Sequence, residues 1–249
     1  MTLARKSKRL AQFMLIAFMA GEVSYAAAQV LVLRSVGPSA RHYPAGQRLP
    51  DNARFNLRPG DSVVILTDGT TRTFRGPGTF SANGPARTNI ASASRRINTG
   101  AVRGDEASEI QRPSDVWQID VTQSGRTCIV AGARPTLWRP SADRAVQLTI
   151  TPQAGAPQTV AWPQGQQTLA WPASVPIAND GSYQLSWTGG AGPTRVTART
   201  VAALPESDVE GLATALLANQ CRGQLDVLIA QSESTEESAG APTGGGGLQ

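Results

Sequence analysis

Short runs of strand-forming residues, separated by turn residues, dominate the pattern of apolar and polar positions. Val63 to Leu66 is a continuous apolar run, which is typical of a buried strand. The Asp68-Gly69 pair that follows is a strong hairpin signal, and Gly76-Pro77-Gly78 is a further turn. The first half therefore predicts a small β-module, with strands at Gln29–Val36, Ala53–Leu57, Ser62–Thr67 and Thr70–Phe74.

The second half shows shorter alternating runs at closer spacing, broken by Gly and Pro. About eight such runs indicate a β-sandwich of immunoglobulin or fibronectin type. Two near-repeats, Thr159–Pro163 and Thr168–Pro172, predict a hairpin around Gln164–Gln166. The predicted strands are Val116–Thr122, Thr127–Val130, Thr136–Trp138, Ala145–Thr151, Thr159–Trp162, Gln167–Trp171, Ser182–Trp187 and Arg195–Val201.

The pattern changes from strand to helix after Pro205. Ser207 and Glu210 have the spacing of a capping box, and the apolar residues that follow fall on one helical face. We therefore expect an amphipathic helix that ends near Asn219. From Gln231 onward, the acidic, Ser-rich and Gly-rich composition predicts a disordered tail. The apolar face consists of Val209, Leu212, Ala213, Leu216 and Leu217, and Leu225, Leu228 and Ile229 are expected to continue the contact.

The first residues have the composition of a secretory signal peptide. A basic stretch from Arg5 to Arg9 precedes an apolar run from Leu10 to Ala20, and Ala26-Ala27-Ala28 precedes Gln29. The apolar run is shorter than the roughly 20 residues that span a bilayer. We therefore expect cleavage near Ala28 and a periplasmic or secreted mature chain without a transmembrane helix.

Composition divides the rest of the chain into segments. Residues 83–114 are rich in Ala, Ser, Gly, Asn and Arg, as in a linker or long loop, and Arg95-Arg96 is a candidate protease site. All five Trp follow this segment. We therefore expect a mostly β protein with a signal peptide (1–28), a β-module (29–82), a linker (83–114), a β-sandwich with a C-terminal amphipathic helix (115–230) and a disordered tail (231–249).

The turns of the first module occur in an order that resembles a known family. Ala45-Gly46-Gln47, Gly60-Asp61, Asp68-Gly69-Thr70 and Gly76-Pro77-Gly78-Thr79-Phe80 are similar to the FecR-like periplasmic β-domain. The resemblance covers residues 30–82 or so, and it implies the shape and the exported setting of that domain. Signalling members carry a cytoplasmic segment and a membrane helix before the domain. This sequence shows neither, so the resemblance does not imply control of a sigma factor.

Charge is unevenly distributed between the halves. Loss of the leader lowers the net charge from +5 to +2, with +6 on residues 29–112 and −4 on residues 113–249. Five arginines of the module are close in sequence and could together bind an anionic polysaccharide, a lipid headgroup or an acidic envelope protein. The alternative is that they are ordinary solvated strand residues. Nucleic acid is not expected outside the cytoplasm. The arginines are Arg48, Arg54, Arg58, Arg72 and Arg75.

Cysteine and tryptophan each suggest a structural role. Cys128 and Cys221 are the two cysteines, and an even pair in an exported protein predicts a disulfide, with two buried thiols as the alternative. Exposed Trp rows bind sugar rings, so Trp162, Trp171 and Trp187 are candidate contacts of a carbohydrate-binding module. We favour the alternative that they fill the sandwich core, because the domain is poor in Phe and Met.

Groups for catalysis are scarce. The mature chain has no Lys and one His, which argues against a His-rich metal site, a Schiff base or a phosphate loop. His42 could act as a base for Ser39, but no nucleophile elbow accompanies them. The acids lie at turns and at a helix start, so a carboxylate-based polysaccharide hydrolase is only an alternative. We expect a non-catalytic envelope protein without a cofactor that acts in binding, scaffolding or as a sensor accessory.

Overall fold

The computed structural model describes residues 29–84, 111–205 and 207–239. The signal peptide and most of the linker that the sequence predicts lie outside the described residues. The described part is mostly β with a helical region near its C-terminal end, as the sequence predicts, and this region contains two α-helices. No helix in these ranges combines the length and the hydropathy needed to cross a bilayer.

The first module contains β1 (Gln29–Val36), β2 (Arg48–Pro50), β3 (Arg54–Leu57), β4 (Ser62–Thr67), β5 (Thr70–Arg75) and β6 (Gly78–Ser81). Four of these strands form an antiparallel sheet in the order β2-β1-β4-β5. The other two, β3 and β6, pair with each other. A shared core between the two sheets contains Phe55 of β3 and Phe74 of β5, whose rings stack at 5.4 Å.

The second domain contains β7 (Gln118–Asp120), β8 (Gly125–Val130), β9 (Thr136–Trp138), β10 (Val146–Pro152), β11 (Gln158–Trp162), β12 (Thr168–Ala170), β13 (Ser182–Trp187) and β14 (Thr194–Val201). They form a five-stranded sheet, β11-β10-β13-β14-β8, and a three-stranded sheet, β12-β9-β7. Ile119 and Leu137 of the smaller sheet share one core with Leu148 and Leu185 of the larger sheet. This arrangement is the β-sandwich that the sequence predicts, and its immunoglobulin or fibronectin type stays a prediction.

Two helices follow the sandwich, α1 (Val209–Ala218) and α2 (Arg222–Ala239). The sequence predicts Ser207 as the N-terminal cap of the first helix, but Asp208 takes that position. Its Oδ1 accepts a hydrogen bond of 2.7 Å from the backbone N–H of Gly211. A carboxylate here both satisfies a free N–H and complements the helix dipole.

The sequence pattern does not predict the second helix, because it indicates one helix that ends near Asn219. The second helix continues to Ala239, so the disordered tail does not begin at Gln231, and residues 240–249 lie outside the described residues. Leu225, Leu228 and Ile229 are buried on its inner face, as predicted. The packing of this face stabilises the first part of α2. The polar residues after Gln231 then continue a helix that has already formed, which costs less than starting a new one.

The helices pack on one face of the module sheet, and this explains the continuous apolar run in β4. Val63 and Ile65 face the core between the module's two sheets. Val64 and Leu66 point to the opposite face, where they join the cluster that contains Leu216 of α1 and residues of α2 and β8. The strand is therefore buried on both sides. Module, helices and sandwich share this contact, so the predicted domains are packed together.

The hairpin predicted from the near-repeats is wrong. β11 pairs with β10 in the five-stranded sheet, whereas β12 pairs with β9 in the three-stranded sheet. The intervening residues cross from one sheet to the other. Arg139 holds this crossing, because its guanidinium donates to the carbonyl oxygens of Pro163 (2.7 Å) and Gln166 (3.0 Å). The repeat places Trp162 of β11 and Trp171, the residue after β12, into the same core.

Candidate binding groove

A cleft of about 840 Å³ opens at one side of the sandwich, beside the start of α2. The strands β7 and β8 are each at the edge of their sheet, and both contribute to its walls. Gln118 and Asp120 come from β7, Arg126 from β8, and Arg222 from the first turn of α2. The cleft therefore combines strand edges with polar and cationic side chains.

A second cleft of about 490 Å³ lies between α2 and the module sheet. Its charged residues include Arg34 of β1, Arg75 of β5 and Asp226 of α2. Arg34 and Asp226 form an ion pair of 2.9 Å, with both side chains about half exposed. An ion pair this exposed contributes little to stability.

The two clefts are adjacent, because Arg112 and Asp226 line both of them. We call the combined surface the α2 groove. Asp226 is paired with Arg34, and Asp120 accepts hydrogen bonds from the N–H and hydroxyl of Thr122 at 2.8 and 2.6 Å. Five arginines therefore face two occupied carboxylates, and the groove has an excess of positive charge. The arginines are Arg34, Arg75, Arg112, Arg126 and Arg222.

Two glutamines that line the larger cleft differ in their hydrogen bonding. Gln224 is buried and bridges the sandwich, donating to the carbonyl oxygens of Val116 (2.8 Å) and Cys128 (2.9 Å) and accepting from the N–H of Cys128 (2.6 Å). Gln118 differs, because its buried Oε1 has no hydrogen-bond partner among the described residues. A buried acceptor without a donor is costly unless something else supplies the hydrogen bond.

The five arginines predicted as one surface are not brought together. β2 and β5 are opposite edges of the four-stranded sheet, so Arg48 is separated from Arg72 and Arg75 by two strands. Arg48 forms an ion pair with Glu210 of α1. Arg72 donates to the carbonyl oxygens of Ala82 (3.1 Å) and Gly84 (3.0 Å), so it closes the module.

Of the remaining members of that set, only Arg75 contributes to the α2 groove. Arg54 is exposed on β3, in the other sheet, and Arg58 is exposed in the turn before β4. Sequence proximity does not predict a shared surface here, because the chain returns through two separate sheets. The groove arginines other than Arg75 come from distant parts of the chain and carry no common sequence signal.

The candidate tryptophans are part of the sandwich core. Trp162 and Trp171 are only 1% and 4% exposed, and Trp187 is half-buried against the same core. The prediction that they fill the core is confirmed, and the sugar-binding platform built from Trp162 and Trp171 is wrong because their ring faces are covered. The Nε1 of Trp171 donates to the carbonyl oxygen of Val175 at 2.9 Å, which fixes the ring.

The disulfide predicted from the cysteine count is present between Cys128 of β8 and Cys221, the residue before α2. Both cysteines are fully buried in the cluster that joins the helices to the module. Gln224, about one helical turn after Cys221, hydrogen-bonds to Cys128. Together with the disulfide, it attaches the start of α2 to the edge of β8. This attachment forms one wall of the groove.

Ser39 and His42, considered above as a nucleophile and its base, lie in different environments. Ser39 is buried and its N–H donates to Oδ1 of Asp61 at 2.9 Å, whereas His42 is exposed on a short 3-10 turn. Burial raises the pKa of Asp61, but hydrogen bonds from Ser39 and Arg58 outweigh this and hold the pKa below its usual value. Asp61 therefore serves as an ionised acceptor in the turn before β4.

Arg139 is a buried charge that the sequence pattern does not reveal. Its third hydrogen bond goes to the carbonyl oxygen of Arg144 at 3.0 Å, and its guanidinium lies 4.9 Å from the ring centre of Trp162. Burial lowers the pKa of this guanidinium, with a smaller opposing effect from Asp143. The single Arg before Pro140 gives no signal of this role, since its acceptors are main-chain oxygens.

Comparison of the chain with protein-family models, curated proteins and solved structures finds no match.

Proposed function

We propose that this chain is an exported, non-catalytic binding protein of the cell envelope, and that the α2 groove holds an anionic partner. The observation that carries this proposal is the charge of the groove, in which five arginines accompany two carboxylates that already have protein partners. Guanidinium groups bind carboxylates and phosphates through directed pairs of hydrogen bonds. A ligand with several negative charges fits this surface.

The exported setting rests on two features of the chain. The first 28 residues have the order of a secretory leader, and the mature part contains a disulfide that joins its two cysteines. Disulfides persist in oxidising compartments and are uncommon in the cytosol. Periplasmic or secreted localisation agrees with both features, and the resemblance of the module to FecR-like domains supports it further.

A binding role is favoured over catalysis by the surroundings of the acids. Asp208 caps α1, Asp180 pairs with Arg199, Glu210 pairs with Arg48, and Asp61 accepts backbone N–H groups. Each of these carboxylates has a structural partner. A hydrolase needs two carboxylates that face a substrate across a cleft. The two carboxylates of the α2 groove, Asp120 and Asp226, are already engaged by Thr122 and Arg34.

The proposal is tested by titrating the mature, disulfide-bonded chain with fluorescently labelled poly-glutamate at several salt concentrations. We expect saturable binding that weakens as salt rises, because surface charges are screened. Arg112→Ala and Arg222→Ala should each weaken binding about tenfold, whereas Arg54→Ala, which removes an exposed arginine outside the groove, should not. Absence of binding, or equal loss with Arg54→Ala, would refute the proposed site.

A further inference from the structure

The edge of β8 that faces the α2 groove carries backbone groups beside which no other strand of the described residues is placed. β8 pairs with β14 on its other side. Cys128 directs its N–H and C=O away from β14, to Gln224. Backbone groups two residues apart on a strand point the same way, so Arg126 directs its own N–H and C=O to the groove. An open strand edge of this kind is a template for an added strand.

The dimensions of the groove set the length of an occupant. The positions of α2 that line it run from Arg222 to Ala230. At 1.5 Å per residue this part of the helix is about 12 Å long. An extended peptide rises about 3.3 Å per residue, so about four or five residues cover the distance.

The charges of the groove specify the side chains of such a peptide. Arg126 and Arg222 line the first cleft, Arg112 lines both clefts, and Arg75 lines the second. Side chains of an extended strand alternate between its two faces, so every second residue points to the same wall. Asp or Glu at alternate positions would meet successive arginines, while the backbone between them pairs with β8.

A peptide fits the groove better than an acidic polysaccharide does. Binding to sugar rings commonly uses an exposed aromatic face, and Trp138, the tryptophan that lines the groove, is only 3% exposed. A polysaccharide also has no amide groups to complete the edge of β8.

Building on the proposed function, we infer that the α2 groove binds a short extended segment of a partner protein with acidic residues at alternate positions. The segment adds to the edge of β8 at Arg126. Strand addition of this type obtains affinity from main-chain hydrogen bonds and specificity from alternate side chains.

The experiment measures fluorescence anisotropy of labelled peptides with the mature, disulfide-bonded chain. The first peptide is Ser-Glu-Ser-Glu-Ser-Glu, and the second has the same composition in the order Ser-Ser-Ser-Glu-Glu-Glu. Two further versions of the first peptide carry N-methyl groups, either on the Glu or on the Ser amides. A trimer of galacturonic acid serves as the polysaccharide competitor. Arg112→Ala is compared with Arg54→Ala.

We expect the alternating peptide to bind at least fivefold more tightly than the block peptide. N-methylation of one set of amides should weaken binding at least fivefold and that of the other set should not, because only alternate amides face β8. Arg112→Ala should weaken binding about tenfold, and Arg54→Ala should leave it unchanged.

Equal binding of both peptides and both N-methylated forms would overturn the inference while leaving an anion-binding groove. Binding of the galacturonate trimer in preference to the peptide would do the same. If poly-glutamate, the peptides and the trimer all fail to bind, the proposed function itself falls.

Discussion

Gln224 takes both backbone hydrogen-bonding groups of Cys128, at 2.6 and 2.9 Å, and so covers the middle of the open edge of β8. Cys128 also forms the disulfide with Cys221, which lies three residues before Gln224. One turn at the start of α2 is thereby attached to one residue of β8 by a covalent bond and by an amide side chain. Gln224 therefore closes the edge at Cys128, whereas at Arg126 no strand of the described residues pairs with this edge.

Replacing Gln224 should show how much its hydrogen bonds to Cys128 and Val116 contribute to the free energy of unfolding. Gln224→Ala leaves the N–H and C=O of Cys128 and the C=O of Val116 without their partner, and we expect a loss of about 2–4 kcal/mol in unfolding free energy. Gln224→Glu should cost at least as much, because a carboxylate would face two carbonyl oxygens. Urea unfolding measures both, with the exposed Gln123→Ala as a control that should change stability by less than about 0.5 kcal/mol. A neutral Gln224→Ala would show that the bridge is dispensable.

The disulfide should contribute substantially to stability. Its cysteines are 93 residues apart, and the chain-entropy model gives about 4–5 kcal/mol for a loop of that length. Cys128→Ala combined with Cys221→Ala should lower the unfolding free energy by about this amount. Because both cysteines are fully buried, reductant should act on the folded wild type only slowly. Rapid reduction under native conditions would contradict the burial of the bond.

Asp61 should make stability depend on pH. Since its folded pKa is lowered, its stabilising contribution is present above the unfolded value of about 3.9 and is lost as the pH falls through the folded value. Asp61→Asn should therefore be less stable than wild type at pH 7, with a difference that shrinks below about pH 4. Thermal unfolding from pH 7 to pH 2.5 measures this. Asp68→Asn, in the hairpin turn at φ 50°, should match wild type throughout, since Asn accepts positive φ. A constant difference across the range would contradict the role of ionised Asp61.

Arg139 should be necessary for the crossing between the two sheets. Arg139→Met removes three donors from three main-chain oxygens, and we expect a loss of about 2–4 kcal/mol. Arg139→Lys should recover only part of it, because an ammonium lacks the planar fork. The control is Arg144→Met, whose side chain is exposed and whose carbonyl oxygen is unchanged. If all three variants unfold at the same denaturant concentration as wild type, Arg139 does not hold the crossing.

Local patterns predicted the strands well and predicted their pairing poorly. The bounds of β1, β4, β9 and β13 agree with the alternation and turn signals, because those signals depend on neighbouring residues. The pairing of β11, which contains Trp162, and of β12, which precedes Trp171, with different sheets depends on Arg139 and on strands distant in the chain. The near-repeats themselves indicate neither the contacts of Arg139 nor the strands with which β11 and β12 pair.

The groove was not predictable for a related reason. Its arginines come from β1, β5, β8, α2 and the residues before β7, which the fold brings to one helix. The sequence offered a cluster, Arg48 to Arg75, that is compact along the chain and dispersed in space. Only Arg75 belongs to both sets.

Cleavage of the predicted linker should leave the protein in one piece. Arg95-Arg96 lies outside the described residues. A limited tryptic cut there would break the covalent connection between the module and the rest of the chain. Because Leu31, Val64 and Leu66 pack against the helices, we expect both fragments to elute together in size-exclusion chromatography. Val64→Asp places a charge in this contact and should release the fragments, whereas Val36→Asp changes a residue of the same sheet that is 55% exposed and should not. Separation of the wild-type fragments under native conditions would show that the module and the helices do not form a stable contact.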